Sequence, residues 1–177
     1  MRKFAAAAMV VGVAFTPNAI AESELYVTGG LTSFDTDSVD LQALNFRGGI
    51  EFHELLSAEF EAALGLGAEE IDGGSGAEAE LENQFGGFVV ARYPIIPNLD
   101  LLGRVGYTTG ELQTANNGVS SDADLDGFAF GFGGEYMFTS QLGIRGDYTR
   151  VEVDDDALDG GVNMLSIAGV YKFGSVR

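Results

Sequence analysis

Alternating apolar and polar positions between Asp126 and Arg150 form the clearest pattern in the chain. Alternate residues are aromatic, aliphatic or glycine, whereas most of the residues between them are small, polar or charged. A period of two residues is typical of a β-strand with one apolar face and one polar face. Thr139, Ser140 and Gln141 interrupt the alternation, which predicts a hairpin of two strands.

Folding this hairpin about its break predicts which residues lie opposite one another. Apolar residues then pair on one face: Tyr136 with Ile144, and Phe132 with Tyr148. On the other face, Glu135 lies opposite Arg145. An apolar face backed by a charge pair is the pattern of strands that separate lipid from a polar barrel interior.

Two further short breaks, at His53 and at Ile95-Ile96, predict hairpins of the same kind. Each places an arginine opposite an acid: Arg47 opposite Glu59, with Glu61 on the diagonal, and Arg92 opposite Asp100. The apolar partners are Phe46 with Phe60, Leu44 with Ala62, Ile50 with Leu56, Tyr93 with Leu99, and Phe85 with Tyr107. Opposite charges across a strand pair stabilise it, and a lone charge inside a barrel would be poorly solvated.

The chain after residue 21 contains eight segments with strand character. They are approximately Leu25–Phe34, Leu41–Phe52, Leu56–Leu66, Leu81–Tyr93, Leu99–Thr108, Leu125–Phe138, Leu142–Glu152 and Val162–Phe173. The outward face of the first segment stays open: it holds either Leu25, Val27 and Leu31, or Tyr26 and Phe34.

The connections between these segments alternate in length. Three are short turns, Phe52–Leu56, Tyr93–Leu99 and Phe138–Leu142. Four are longer and polar, near Asp35–Asp40, Gly67–Glu80, Gly110–Asp124 and Val153–Gly161. We therefore predict an all-β fold, a transmembrane antiparallel up-and-down β-barrel of eight strands with short periplasmic turns and longer extracellular loops. A soluble lipocalin-like barrel would share the two-residue period but would turn its apolar face inward.

Residues 1–21 have the composition of a secretory signal peptide. Arg2 and Lys3 precede an apolar run at Phe4–Phe15, and Ala19-Ile20-Ala21 forms a small-residue cleavage site. The run is too short for a membrane-spanning helix, which needs about 20 apolar residues. We expect one domain, the barrel, at residues 22–177.

Charge and cysteine content exclude several classes of function. The formal net charge is −18, so a basic footprint for nucleic acid is absent. The chain has no cysteine, which excludes disulfide frameworks, thiol catalysis and cysteine-based zinc sites.

Two motifs resemble the small eight-stranded outer-membrane barrels of Gram-negative bacteria, the OmpA transmembrane-domain-like and OmpX-like family. They are Q-L-G-I-R-G-D-Y at Gln141–Tyr148 and the closing G-V-Y-K-F at Gly169–Phe173, and the resemblance extends over Glu22–Phe173. It implies a monomer in the cell outer membrane after signal-peptide-dependent export. The implied partners are outer-membrane lipids, lipopolysaccharide and the barrel-assembly machinery. Gly169, Tyr171 and Phe173 look like the C-terminal signal that this machinery recognises.

The residues predicted to matter most are charges on the interior face. They are Arg47, Glu59, Glu61, Arg92, Asp100, Arg104, Glu135, Arg145 and Asp147, with Glu51, Glu82 and Lys172 on the same face. Because eight strands leave an interior only wide enough for side chains, a structural network that fills the barrel is favoured. The alternative is a small porin-like channel gated by its Arg–acid pairs.

The acidic outer loops suggest a non-enzymatic role in outer-membrane integrity or surface interaction. The one histidine, His53, lies in a predicted periplasmic turn without a nucleophile beside it, so a lipid-acting enzyme is the less favoured alternative. We predict no cofactor. Asp122, Asp124 and Asp126 begin like a calcium loop, but the twelfth position is Gly133, which leaves at most a loose Ca²⁺ or Mg²⁺ site beside the simpler solvated acidic face.

Overall fold

The computed structural model describes residues 23–35, 40–70, 78–116, 119–124, 126–153 and 161–175. The predicted signal peptide lies outside these residues and stays a prediction. The strands are β1 (Glu24–Asp35), β2 (Asp40–His53), β3 (Leu56–Gly65), β4 (Ala68–Glu70), β5 (Glu78–Ile96), β6 (Leu99–Asn116), β7 (Val119–Asp124), β8 (Gly127–Met137), β9 (Leu142–Val153) and β10 (Val162–Ser175). Within the described part of the chain, no helix is long and apolar enough to cross a membrane.

Eight of these strands form a closed antiparallel barrel, as predicted. Its order is β1-β2-β3-β5-β6-β8-β9-β10, and β10 pairs with β1 to close the ring. β4 and β7 are short outer continuations, one after β3 and one before β8. Closure pairs the backbone of every barrel strand on both sides, which a strand in lipid requires.

The apolar face of the alternation points outward and the charged face inward. Phe132 and Leu165 are 68% and 65% exposed on the outer surface, whereas Arg104 and Arg145 are 1% and 0% exposed inside. This arrangement is the reverse of a soluble barrel and suits a surface surrounded by lipid. In β1 the open choice is resolved, because Tyr26 and Phe34 are buried.

The β8–β9 hairpin has the predicted register. Tyr136 pairs with Ile144, Phe132 with Tyr148 and Glu135 with Arg145, so all three predictions are confirmed. The turn is held by Thr139, whose Oγ1 accepts the Leu142 amide hydrogen bond at 2.9 Å. A side-chain oxygen in this position stabilises a tight turn and thereby sets the register.

The predicted register of the β2–β3 hairpin is wrong by two residues. The turn lies at Glu54-Leu55, and a bulge between Glu51 and His53 adds a residue to β2. Arg47 consequently pairs with Glu61, not Glu59. The observed apolar partners are Phe46 with Ala62, Leu44 with Leu64, and Ile50 with Ala58. A shift of two residues keeps every side chain on its face, so the alternation could not reveal it.

The β5–β6 hairpin is shifted by the same amount. Its turn lies at Pro97-Asn98, and Asn98 has a positive φ of 75°, which asparagine tolerates better than most residues. The observed pairs are Tyr93 with Leu101, Phe85 with Thr109, and Arg92 with Leu102. The predicted opposition of Arg92 and Asp100 is therefore wrong.

Two predicted outer loops contain strand structure. β5 begins at Glu78 and β6 continues to Asn116, so both extend beyond the predicted strands. With β4 and β7 they form an outer sheet in the order β4-β5-β6-β7, at the end of the barrel opposite the short turns. The polar composition of these segments concealed strands that pair outside the membrane.

We predict that Gly30→Ala destabilises the barrel by about 1–3 kcal/mol, a common cost of overpacking. A Cβ at Gly30 would lie 2.0 Å from the Ile167 carbonyl oxygen and 2.5 Å from the Ala168 Cα, and backbone atoms cannot move aside cheaply. Gly48→Ala is the matched control, because a Cβ there meets no atom within 4 Å. Denaturant unfolding in detergent micelles compares the two, and equal midpoints would contradict the prediction.

Candidate functional site: the charge network of the barrel interior

Among the described residues, ten charged side chains from seven strands meet inside the barrel in two groups. The central cluster consists of Arg47, Arg104, Arg145, Glu59, Glu61 and Asp147, and the rim cluster consists of Arg92, Lys172, Glu51 and Glu135. Each cluster has equal numbers of cations and anions. These ten side chains are therefore electrically balanced as a set, although the whole chain has a net charge of −18.

The central cluster is a cage of shared ion pairs. Asp147 receives Arg47 Nη1 at 2.6 Å on Oδ2 and Arg104 Nη1 at 3.1 Å on Oδ1. Glu61 Oε2 is shared between Arg47 Nε and Arg104 Nη2. Glu59 Oε2 accepts from Arg145 Nη1 at 2.7 Å. Because all six side chains are at most 1% exposed, every charge depends on its neighbours for solvation.

The rim cluster lies toward the short turns and is slightly open. Arg92 Nη1 lies 2.7 Å from Glu135 Oε1, and its Nε lies 3.2 Å from Glu51 Oε1. Lys172 Nζ contacts the same two oxygens at 3.4 Å and 3.1 Å. The side chains of Lys172 and Glu51 are 12% and 14% exposed, so this cluster meets the periplasmic opening.

Tyr26 connects the two clusters. Its hydroxyl donates to Glu59 Oε2 at 2.9 Å, and the Arg92 guanidinium carbon lies 4.9 Å from its ring centroid. The ring occupies space left by Gly49, where a Cβ would lie 2.1 Å from the ring. Sequence reasoning left the orientation of Tyr26 open. The signal for it is Gly49, its register partner on β2.

Phe88 supports the central cluster from one side. The Arg104 guanidinium carbon lies 3.6 Å from the Phe88 ring centroid, a close cation–π contact. Cβ atoms at Gly86 or Gly106 would each come within 2.7 Å of this ring. Glycines on the interior face thus make room for an aromatic ring that fixes Arg104.

The structure brings eight of the nine predicted interior residues into these clusters. Asp100 is the exception: it is half-buried next to the β5–β6 turn, and no ion pair of the described residues includes it. Glu51 and Lys172, expected only on the interior face, complete the rim cluster. Glu82, predicted on the same face, lies outside the residues whose side chains are described.

Cross-strand position and ion-pair partner differ for Glu135 and Arg145. They are register partners, yet Glu135 contacts Arg92 and Lys172, while Arg145 contacts Glu59 and Asp147. Long side chains pointing into a narrow barrel reach strands on other sides of it. The predicted charged face and the predicted opposition of Glu135 and Arg145 are therefore confirmed, but among the described contacts the two side chains form their ion pairs with other residues.

Two further predictions from the sequence, the metal site and the assembly signal, concern residues outside these clusters. The side chains of Asp122 and Asp124 fall outside the described residues, while Asp126 is half-buried. Among the residues that are described, no group of three potential metal ligands occurs. Gly169, Tyr171 and Phe173 lie on the outer face of β10. The rings of Tyr171 and Phe173 pack edge to face, with their centroids 5.0 Å apart. The metal site and the assembly signal stay predictions.

Comparison with known proteins gives a family and a set of similar folds. The model of the family described as "Outer membrane protein beta-barrel domain" matches residues 4–173. No curated protein sequence matches the chain. OprG from Pseudomonas aeruginosa is 13% identical with a TM-score of 0.63, covering 87% of this chain and 97% of its own. Ail of Yersinia pestis is 15% identical with a TM-score of 0.61, and the alignment covers 86% of this chain and 99% of Ail.

Neisserial surface protein A is also similar, at 10% identity and a TM-score of 0.62. The alignment covers 85% of this chain and 97% of that one. At such identities the likeness concerns the fold alone. The residues of the interior network therefore have to be interpreted from their own geometry.

We predict strong energetic coupling between Arg145 and Glu59. Arg145→Gln or Glu59→Gln alone leaves a buried charge without its closest partner, and breaking a buried pair in this way costs about 3–5 kcal/mol. The double variant Arg145→Gln/Glu59→Gln removes both charges and should lose clearly less than the sum of the two. Denaturant unfolding of all four proteins gives the coupling energy. Additive losses would show that the 2.7 Å contact does not stabilise the barrel.

Proposed function

The chain belongs to the outer membrane protein beta-barrel domain family, and we propose that it acts as a closed, non-enzymatic barrel with an acidic outer surface. The family places it in the outer membrane of a Gram-negative bacterium. In this proposal it contributes to outer-membrane integrity or surface interaction and works as a monomer. Residues 1–21 direct its export, and Gly169, Tyr171 and Phe173 present it to the barrel-assembly machinery.

The observation that carries this proposal is the filled interior. Six buried charges of the central cluster span the barrel and contact one another from several sides. Eight strands enclose a space that side chains can fill. A solute would have to break these buried ion pairs to pass.

The shared contacts argue against a simple gate. Arg104 contacts Glu59, Glu61 and Asp147, so a rotation of this one side chain breaks three ion pairs. Breaking one buried pair by removing a partner already costs about 3–5 kcal/mol. A small porin-like channel is thus the second candidate, favoured only by the partial exposure of the rim cluster.

A non-enzymatic role fits the position of His53. This side chain is exposed in the β2–β3 turn, and its Nδ1 accepts a hydrogen bond from the Leu55 amide at 3.2 Å. The nitrogen that would act as a base is therefore engaged with the backbone. The other ring nitrogen serves as a donor.

The outer sheet supplies a surface for interaction. In the register of this sheet Glu70 pairs with Glu78, and Glu111 pairs with Asp124. Like charges directly opposite each other destabilise a strand pair. Divalent cations bind carboxylate oxygens. We therefore propose that the outer sheet binds Ca²⁺ or Mg²⁺, and that lipopolysaccharide and outer-membrane lipids are further partners of this surface.

We predict that the refolded barrel, residues 22–177, produces no discrete conductance steps in planar bilayers. The filled interior should keep Glu135→Gln and Arg145→Gln silent as well, because the neighbouring side chains still block the passage. A known porin in the same bilayer verifies detection. Reproducible steps whose size changes in either variant would favour the small channel.

We predict that millimolar Ca²⁺ or Mg²⁺ slows hydrogen exchange of the outer parts of β5 and β6. A cation between opposed acids relieves their repulsion and stabilises the sheet. The variant Glu111→Gln/Asp124→Asn should lose this response, and amides of β9 within the barrel serve as the internal control. Sodium chloride at matched ionic strength must not reproduce the effect; if it does, only screening is involved.

A further inference from the structure

A groove of about 500 Å³ lies on the barrel near its short-turn end. Ala91 of β5 and Gly103 of β6 are direct register partners and form its shallow floor. Tyr93 and Leu101 are the next outward-facing pair and bound the floor on the rim side. Leu55, from the β2–β3 turn, lines the groove as well. Small residues surrounded by large ones thus create a recess in the lipid-facing wall.

Neither backbone conformation nor crowding requires glycine at position 103. Among the described glycines only Gly67 has a positive φ, and a Cβ at Gly103 would meet no atom within 4 Å. A glycine inside a strand offers no side chain for packing and weakens the strand. The consequence of a glycine at position 103 is therefore that the surface has open volume where a side chain would otherwise lie.

The position of the groove defines the chemistry of its occupant. Tyr93 and Leu101, 69% and 49% exposed, belong to the outer wall that faces lipid. The short-turn end is the periplasmic end of the barrel, so the groove faces the inner leaflet. The volume lies within the range of ligand sites, and an apolar recess continuous with the lipid-facing wall suits an acyl chain.

The mouth of the groove carries hydrogen-bond donors. Because His53 Nδ1 accepts from the Leu55 amide, the neutral imidazole has its proton on Nε2, and the side chain is exposed. The Tyr93 hydroxyl offers a second polar group at the membrane interface. The described lining residues include no carboxylate, although the chain as a whole is strongly acidic. Arg92 also lines the groove, but its guanidinium is paired with Glu51 and Glu135 in the rim cluster. An anionic phosphate group therefore meets no like charge among the described lining residues.

We propose that this groove binds one glycerophospholipid of the inner leaflet, with an acyl chain over Ala91 and Gly103. The phosphate or ester oxygens lie at the mouth, within reach of His53. The inference rests on the membrane location that the family establishes, and it does not depend on whether the interior conducts. The barrel thus holds a specific lipid in addition to the bulk lipid around it.

Native mass spectrometry of protein extracted from membranes in mild detergent tests the proposal. We expect one phospholipid per wild-type barrel and a loss of most of it in Gly103→Leu, whose side chain fills the floor. His53→Ala should retain less than wild type, because the donor at the mouth is absent. Gly87→Leu is the matched control and should retain lipid fully, since Gly87 is also an exposed outward glycine with an open Cβ position but lies outside the groove.

Heat-dependent gel mobility confirms that each variant is folded before its lipid content is measured. A second measurement places the lipid: a phospholipid with a nitroxide on its acyl chain should broaden the Ala91 methyl signal in wild type and in Gly87→Leu. Gly103→Leu should show no such broadening. The proposal is overturned if wild type retains only detergent, or if Gly103→Leu and Gly87→Leu retain equal amounts of phospholipid.

Discussion

A charge inside a closed eight-stranded barrel has to find its counter-charge inside the same barrel. Lipid surrounds the wall, and the interior is too narrow to hydrate ten ionised side chains separately. The balance of five cations and five anions follows from this constraint. So does the sharing of carboxylates, in which Glu61 contacts two arginines and Asp147 contacts three.

The same narrowness explains the role of interior glycines. Gly49 leaves room for Tyr26, and Gly86 and Gly106 leave room for Phe88. Both rings then contact arginines, Arg92 and Arg104. The network is thus held by packing as well as by charge, and the positions of its arginines depend on residues that carry no charge at all.

The two ends of the barrel differ in a way that bears on function. The central cluster is sealed, whereas the rim cluster is partly exposed toward the periplasmic turns. At the opposite end, β4 and β7 widen the β5–β6 hairpin into an acidic sheet outside the membrane. This arrangement supports the proposed role in membrane integrity and surface contact over transport.

The sequence alone determined the fold class, the eight barrel strands and the inward face of the charges. The two-residue period places Arg145 and Asp147 on one face whatever their partners are. The period alone does not say which face is inside; the cross-strand charge pairs and the alternation of short turns with long loops predict that the charged face points inward. The sequence also determined the β8–β9 register, because Thr139 marks that turn locally. It could not determine the other two registers, since a shift of two residues at Asn98 or at the bulge before His53 leaves the alternation unchanged. Only the tertiary structure decided that Arg145 contacts Glu59 and not Glu135, because closing the barrel brings together side chains from strands that are distant in the sequence.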